Sequence, residues 1–301
     1  MANEGDIFYY DRRKKEMVRE EVLGDKLLRL AYLSPFRGAL RGLLFGNACL
    51  SRLIGWYANR SWSAKRIDAT VRQLGIDMDE VEIPDGGFRS FNEFFCRRLK
   101  PGSRVFDNAP ARLSSPADCR IRIWNRIDHD LCIPVKGHDM AVSELLGEDG
   151  KRFTPRFLNG SLCVCRLCPA DYHRFHFPAD GKVLATWRIP GNYHSVNPIA
   201  LNLGINVFGQ NVREVTILEL VEFGLCAFIE VGAFGVASIT QTYSGRFFSK
   251  GTEKGYFTFG GSTIIMIFEP DRIAFSEDLT EYSAKDMEVL VKCGDTIAEL
   301  Q

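Results

Sequence analysis

From residue 112 onward the chain alternates short runs of branched and aromatic residues with turn formers. Segments 119–124, 161–167, 182–189, 214–221, 226–231, 236–243 and 263–268 read as strands. Glycines at 191, 224, 232, 245 and 255 punctuate them, which favours an antiparallel sandwich or barrel over a parallel sheet. The first third has another pattern. Residues 26–67 carry eight basic side chains (Lys26, Arg29, Arg37, Arg41, Arg52, Arg60, Lys65 and Arg66), no acidic one, and many leucines, tryptophans and tyrosines. Arginine interrupts the apolar positions too often for a bilayer span, and the pattern predicts helices lying in a membrane interface. The plainer alternative packs those helices on the body with their arginines solvated. Residues 88–100 read as a connecting helix, with Ser90 as cap and Glu93 three residues on.

Composition narrows the function classes. Lysine plus arginine equals aspartate plus glutamate at 38 each in 301 residues, so nothing in the overall charge points to nucleic acid. Nine scattered cysteines, an odd number, suit reduced thiols in a cytosolic compartment. Cys165 and Cys168 with His173 and His176 have the residue types of a zinc site. Pro169 and the alternation of 162–167 argue against it, because neighbouring thiols would leave on opposite faces. The polar, charged residues 1–15 argue against a secretory signal.

The chemistry concentrates in three places. Gly260-Gly261-Ser262-Thr263 opens the apolar run 263–268, and glycine's freedom lets a carbonyl twist within reach of the following hydroxyl. Alone, such a tetrapeptide is an ordinary turn capped by serine and threonine. The segment 171–176 holds His173 and His176, two of five histidines, and an imidazole is what a serine hydroxyl needs to become nucleophilic. Asp118, in a turn between apolar segments, is a carboxylate able to orient such a base.

These motifs and others carry a resemblance. Phe94-Phe95-Cys96-Arg97-Arg98-Leu99-Lys100-Pro101-Gly102, Pro116-Ala117-Asp118, Asp171-Tyr172-His173-Arg174-Phe175-His176, Ser195-Val196-Asn197-Pro198, Glu230-Val231-Gly232-Ala233 and Lys250-Gly251 through Thr263 follow one another as in phosphatidylserine decarboxylases. The chain resembles the G-G-S-T branch of that self-processing family. Cys119 and Ala237 stand where the family usually has glycine. The resemblance implies a fold, since residues 291–297 look like the closing segment of lipoyl carrier domains, whose modified-lysine hairpin is missing here. It predicts an α+β chain with a mainly antiparallel, barrel-sandwich body. Its divisions would be a membrane-associating helical region (1–67), a helical connector (68–111) and a catalytic domain (112–301).

The resemblance also implies a mechanism. His176, oriented by Asp118, removes the Ser262 proton, and the oxygen attacks the Gly261 carbonyl, exchanging amide for ester. Elimination and hydrolysis then leave a pyruvoyl group at the head of residues 262–301, which stay associated with residues 1–261. That carbonyl condenses with the amine of phosphatidylserine as a Schiff base and promotes loss of carbon dioxide, so no diffusible cofactor and no metal are expected. His173 is implied to serve decarboxylation, against the plain reading of a histidine packed near the site. The partners implied are phosphatidylserine and an anionic membrane surface on the cytoplasmic face, peripherally bound, with room for a homodimer. Two rivals stand beside this reading: a lipid-directed serine hydrolase, which needs Ser262 intact, and a peripheral membrane scaffold, which treats the motifs as turns.

Overall fold

The computed structural model describes residues 7–21, 23, 48–127, 132–135, 138–194, 206–233, 238–260 and 262–301. Lys26, Arg29, Arg37, Arg41, Ala237, Gly261 and the motif at 195–198 lie outside the described residues.

Ten strands form one sheet in the order Phe247–Phe248, Gly181–Ile189, Arg213–Leu220, Gly224–Gly232, Ser262–Phe268, Leu162–Leu167, Cys119–Trp124, Glu288–Val291, Phe8–Asp11 and Glu16–Arg19. Neighbours run antiparallel except Phe8–Asp11, which lies parallel to Glu288–Val291. The chain is therefore α+β with a mainly antiparallel body. The strand at Cys119–Trp124 has the bounds its alternation predicts. Of the one expected at 236–243, whose first two residues lie outside the described ones, the strand described is Ile239–Gln241, in a small sheet with Glu253–Phe257 and Arg174–His176.

The uninterrupted apolar run after Ser262 exists because its strand is covered on both faces. Ile264, Met266 and Phe268 meet Phe175, Phe177 and Phe228 on one side. Ile265 and Ile267 meet Val142, Leu145, Phe157 and Phe208 on the other. Each such side chain, fully buried, contributes roughly 1.5–3 kcal/mol by its removal from water. The strand is thus fixed at the centre of the molecule, and Ser262 is fixed at its first position.

The region 1–67, expected to be helical, is not helical throughout: Phe8–Asp11 and Glu16–Arg19 form the edge hairpin of the main sheet, and the helices described are Ala48–Ala58, a 3-10 turn at Ser61–Arg66, and Ile67–Leu74, closed by Gly75 in the left-handed region. Among the described residues no helix is long and apolar enough to cross a membrane. The helix expected over 88–100 is only Phe91–Phe95. Ser90 caps it by accepting the Glu93 N–H at 3.1 Å. Arg98–Leu99 instead pairs with Val81–Glu82, because Pro101 disfavours helical backbone before it and Arg97 is drawn to the carbonyls of Ala170 and Asp171.

Candidate active site

Ser262 is wholly buried and paired on both sides, with Gly232 and with Leu167. The chain arrives through Gly260, whose φ of 144° only glycine adopts readily. The short helix Phe91–Phe95 holds this approach. Asn92 accepts the Phe259 N–H at 2.7 Å, and Phe91 and Phe95 meet the Phe259 ring edge to face at 5.0 and 5.2 Å.

His173 is the imidazole that reaches Ser262. Its Nδ1 lies 3.2 Å from the Ser262 Oγ, and its Nε2 lies 3.0 Å from the Cys168 carbonyl oxygen. A carbonyl only accepts, so Nε2 carries the proton and Nδ1 turns its lone pair toward the serine hydroxyl. Phe95 stacks on the ring with centroids 3.8 Å apart. Burial, reinforced by the Arg97 charge, lowers the His173 pKa to about 3, so the ring is neutral. The carbonyl that orients it belongs to a tight turn. Asp171 donates its N–H to the Cys168 oxygen at 2.8 Å, and its carboxylate accepts the Cys168 N–H at 2.7 Å. Arg97 closes the turn from outside, donating to the Ala170 and Asp171 carbonyls at 2.8 and 2.9 Å.

His176 and Asp118 are placed elsewhere, and the expected relay from Asp118 through His176 to Ser262 is not the observed arrangement. His176 donates from Nδ1 to the Gly251 carbonyl at 2.9 Å, and its Nε2 lies 3.3 Å from the Tyr172 hydroxyl. Burial lowers its pKa too. Asp118 receives the Arg104 fork at 2.7 and 2.6 Å, Lys292 at 3.1 Å and the Cys293 N–H at 2.9 Å. Burial alone would raise the Asp118 carboxyl, but these donors outweigh it and hold the pKa at about 2. The two rings part locally: His173 lies before the strand Arg174–His176, and a register shift between Phe175 and His176 sets His176 opposite Glu253, where its ring meets Gly251 and Tyr172. Asp118, one residue before its strand, meets Arg104 and the Lys292 ammonium and Cys293 N–H of the loop at 292–293. A cleft of about 580 Å³ lined by Arg98, Tyr172, Tyr243, Phe248 and Glu253 opens on the His176 side.

The profile of the phosphatidylserine decarboxylase family matches residues 91–299, which include all four of these side chains. This chain belongs to that family. It is 40% identical over 293 residues to the phosphatidylserine decarboxylase proenzyme of Ruminiclostridium cellulolyticum, covering 97% of each chain. It is 40% identical over 292 residues to the proenzyme of Clostridium kluyveri, covering 97% of this chain and 98% of that one. Phosphatidylserine decarboxylase proenzyme 3 of Schizosaccharomyces pombe is 42% identical over 240 residues, 79% of this chain and 25% of the yeast protein.

Within this family member, sequence reasoning missed the groups that set His173. Asp171 and Arg97 lie inside two separate quoted motifs, and that membership was the available signal. Cys168 acts through its backbone carbonyl, which no residue type announces. Its thiol faces Arg166 at 2.9 Å, while Cys165 is buried in the strand before it. Cys119, at a family glycine position, is buried with its thiol 3.8 Å from the Ser115 hydroxyl.

Proposed function

We propose that this chain is a self-processing decarboxylase of phosphatidylserine, producing phosphatidylethanolamine after cutting itself between Gly261 and Ser262. The observation that carries the reading is the Ser262 hydroxyl facing the unprotonated nitrogen of His173 in a dry pocket. In this arrangement His173, rather than His176, accepts the Ser262 proton as Oγ bonds to the Gly261 carbonyl carbon. The Ser262 nitrogen then leaves, taking a proton, and an ester replaces the amide. A pKa near 3 makes His173 a reluctant base, which suits a reaction that each chain performs once. Excluding water favours transfer to the serine oxygen over hydrolysis.

The surroundings of residue 262 suit a pyruvoyl group. Its position is a strand terminus held by two neighbours, with a neutral imidazole beside it that is itself covered by the Phe95 ring. When present, that group supplies an electrophilic carbonyl that draws electrons from the carbon losing carbon dioxide. His173 is placed to hold or return a proton there, so one imidazole serves both stages. The chains 1–261 and 262–301 stay together because the Ser262 strand is paired on both sides inside the sheet.

The same reading places the protein peripherally on the cytoplasmic face of an anionic membrane. Leu53, Trp56 and Trp62 of the N-terminal helices are about half exposed, and Arg60 lies 4.5 Å from the Trp56 ring, a pairing suited to a headgroup layer. The body is read as the barrel-sandwich of lipoyl-like domains, supported by a mainly antiparallel sheet covered on both faces.

Intact mass decides the central point. Two chains are expected, the smaller beginning at residue 262 and blocked by a pyruvoyl, while Ser262→Ala stays whole and inactive. A single full-length chain that decarboxylates phosphatidylserine would overturn the reading, and an intact Ser262 in an active lipid hydrolase would favour the rival. For the membrane, vesicles containing anionic lipid should sediment the protein less well as salt rises, and a folded variant lacking residues 1–67 should lose that binding.

A further inference from the structure

The turn that orients His173 is tied to a part of the chain well outside the family match. Arg120 and Arg166 stand directly opposite each other on neighbouring strands of the central sheet, both buried. Like charges in register repel, and buried ones need carboxylates to offset them: Asp171 on Arg120, Glu288 on Arg166, and one that lies against both. The shared carboxylate is Glu20, which follows the edge hairpin formed by Phe8–Asp11 and Glu16–Arg19. Its oxygens take the Arg166 fork at 3.0 and 2.7 Å, and one of them lies 3.7 Å from the Arg120 Nε. Backbone pairing from its own N–H to the Ile7 carbonyl at 2.9 Å fixes its position.

Both arginines lead to the catalytic turn. Arg120 donates through Nη1 to the Asp171 carboxylate oxygen that also accepts the Cys168 N–H. Arg166 donates through Nη1 to the Cys168 sulfur and through its other nitrogens to Glu288. Cys168 is therefore gripped at its side chain by Arg166 and at its N–H by Asp171. Its carbonyl is what selects the tautomer of His173. The Tyr9 ring of the same hairpin lies 4.8 Å from the Arg120 guanidinium and closes the network from the outside.

We infer that Glu20 is a positioning residue for self-processing: by bridging Arg120 and Arg166 it holds the Cys168–Asp171 turn, and through the Cys168 carbonyl the Nδ1 of His173 on Ser262. It touches no reacting atom. Without its charge each guanidinium keeps one carboxylate, Asp171 or Glu288, but nothing bridges the two, and the groups that shift with them include Asp171 and Cys168 of the turn. The inference rests on the proposed self-cleavage, and it assigns a function to the first twenty residues that the family match at 91–299 does not cover.

The test follows self-cleavage of the full-length chain by pulse-labelled cell-free synthesis and electrophoresis, with the melting temperature of each purified variant measured alongside. Glu20→Gln keeps the shape and removes the charge. It should slow cleavage roughly ten- to hundredfold, the loss expected when a catalytic group is displaced by a fraction of an ångström to an ångström. Glu20→Asp, which keeps the charge, should recover part of the rate. Tyr10→Ala is the matched control, since Tyr10 stacks on Tyr282 at 3.9 Å and loosens the same hairpin without touching the network. If Tyr10→Ala lowers the melting temperature as much as Glu20→Gln and slows cleavage as much, Glu20 only stabilises the hairpin and the inference is overturned. Cleavage of Glu20→Gln at the parental rate overturns it as well. Should Glu20→Gln fail to fold, Glu20→Asp takes its place, judged against Tyr10→Ala by the same two measurements. A parental chain that never yields two pieces would instead defeat the proposed self-cleavage itself.

Discussion

His173 and His176 are three residues apart in one motif, yet one ends on the Ser262 hydroxyl and the other on a loop carbonyl. Both are largely buried, and burial lowers both pKa values. The difference lies in which ring nitrogen is occupied. At His173 the carbonyl takes Nε2 and leaves Nδ1 facing the Ser262 hydroxyl. At His176 the Gly251 carbonyl takes Nδ1 and leaves Nε2 facing the Tyr172 hydroxyl. A backbone carbonyl thus decides which ring nitrogen each histidine leaves open and which of them turns it to Ser262, and the motif letters alone do not.

The largest effect should come from breaking the first arrangement. His173→Ala removes the acceptor for the Ser262 proton, and self-cleavage should fall by roughly 10²- to 10⁴-fold, the usual weight of a general base. Asp118→Asn should act next most strongly but on a different quantity. It leaves Arg104 and Lys292 facing a neutral group, and losing one partner of a buried pair costs about 3–5 kcal/mol of stability. Its melting temperature should fall, while cleavage by the fraction that stays folded changes much less. His176→Ala should be mildest, loosening the 249–252 loop and slowing cleavage only severalfold. Cleavage rate and melting temperature measured together decide among these. If His176→Ala and Asp118→Asn stall cleavage while still melting like the parent, and His173→Ala processes normally, the two histidines have exchanged roles.

The sequence discloses these features unequally, for reasons that lie in how each is specified. The strand at Cys119–Trp124 and the run after Ser262 were readable because alternation and continuous apolarity are direct consequences of burial on one or both faces. Ser262 was readable because two glycines precede it. The motif brought His173, His176 and Asp118 into view, but their connectivity depends on a turn and on a local register shift. The helix at Phe91–Phe95 came out shorter than its apolar pattern because Arg97 is claimed by the turn at 168–171. Glu20 gave no signal at all. Its partner Arg166 is 146 residues away, and an acid after a hairpin reads as a solvated side chain until the fold closes over it.

The smallest effect is the one that most sharply tests the His173 assignment, because it is the absence of a change. Burial and the Arg97 charge hold His173 at a pKa of about 3, so its unprotonated form persists as pH falls. Self-cleavage should therefore be nearly flat between pH 8 and pH 5. A base with an ordinary histidine pKa near 6.5 would be about thirtyfold depleted in its neutral form at pH 5, and cleavage would fall in proportion. Stability moves in the other direction and must be watched separately. With its pKa depressed in the fold, His173 stays neutral while the unfolded chain takes up a proton, so stability declines from about pH 6.5 toward 3. Asp118 and Glu20, both held at about 2, contribute stability that is present above their unfolded values and is lost only as pH falls below about 4.5 toward 2. Circular dichroism at each pH fixes the folded fraction by which the cleavage rate is divided. A corrected rate that still drops by an order of magnitude between pH 7 and pH 5 would mean that the base titrates normally and is not the imidazole sealed beneath Phe95.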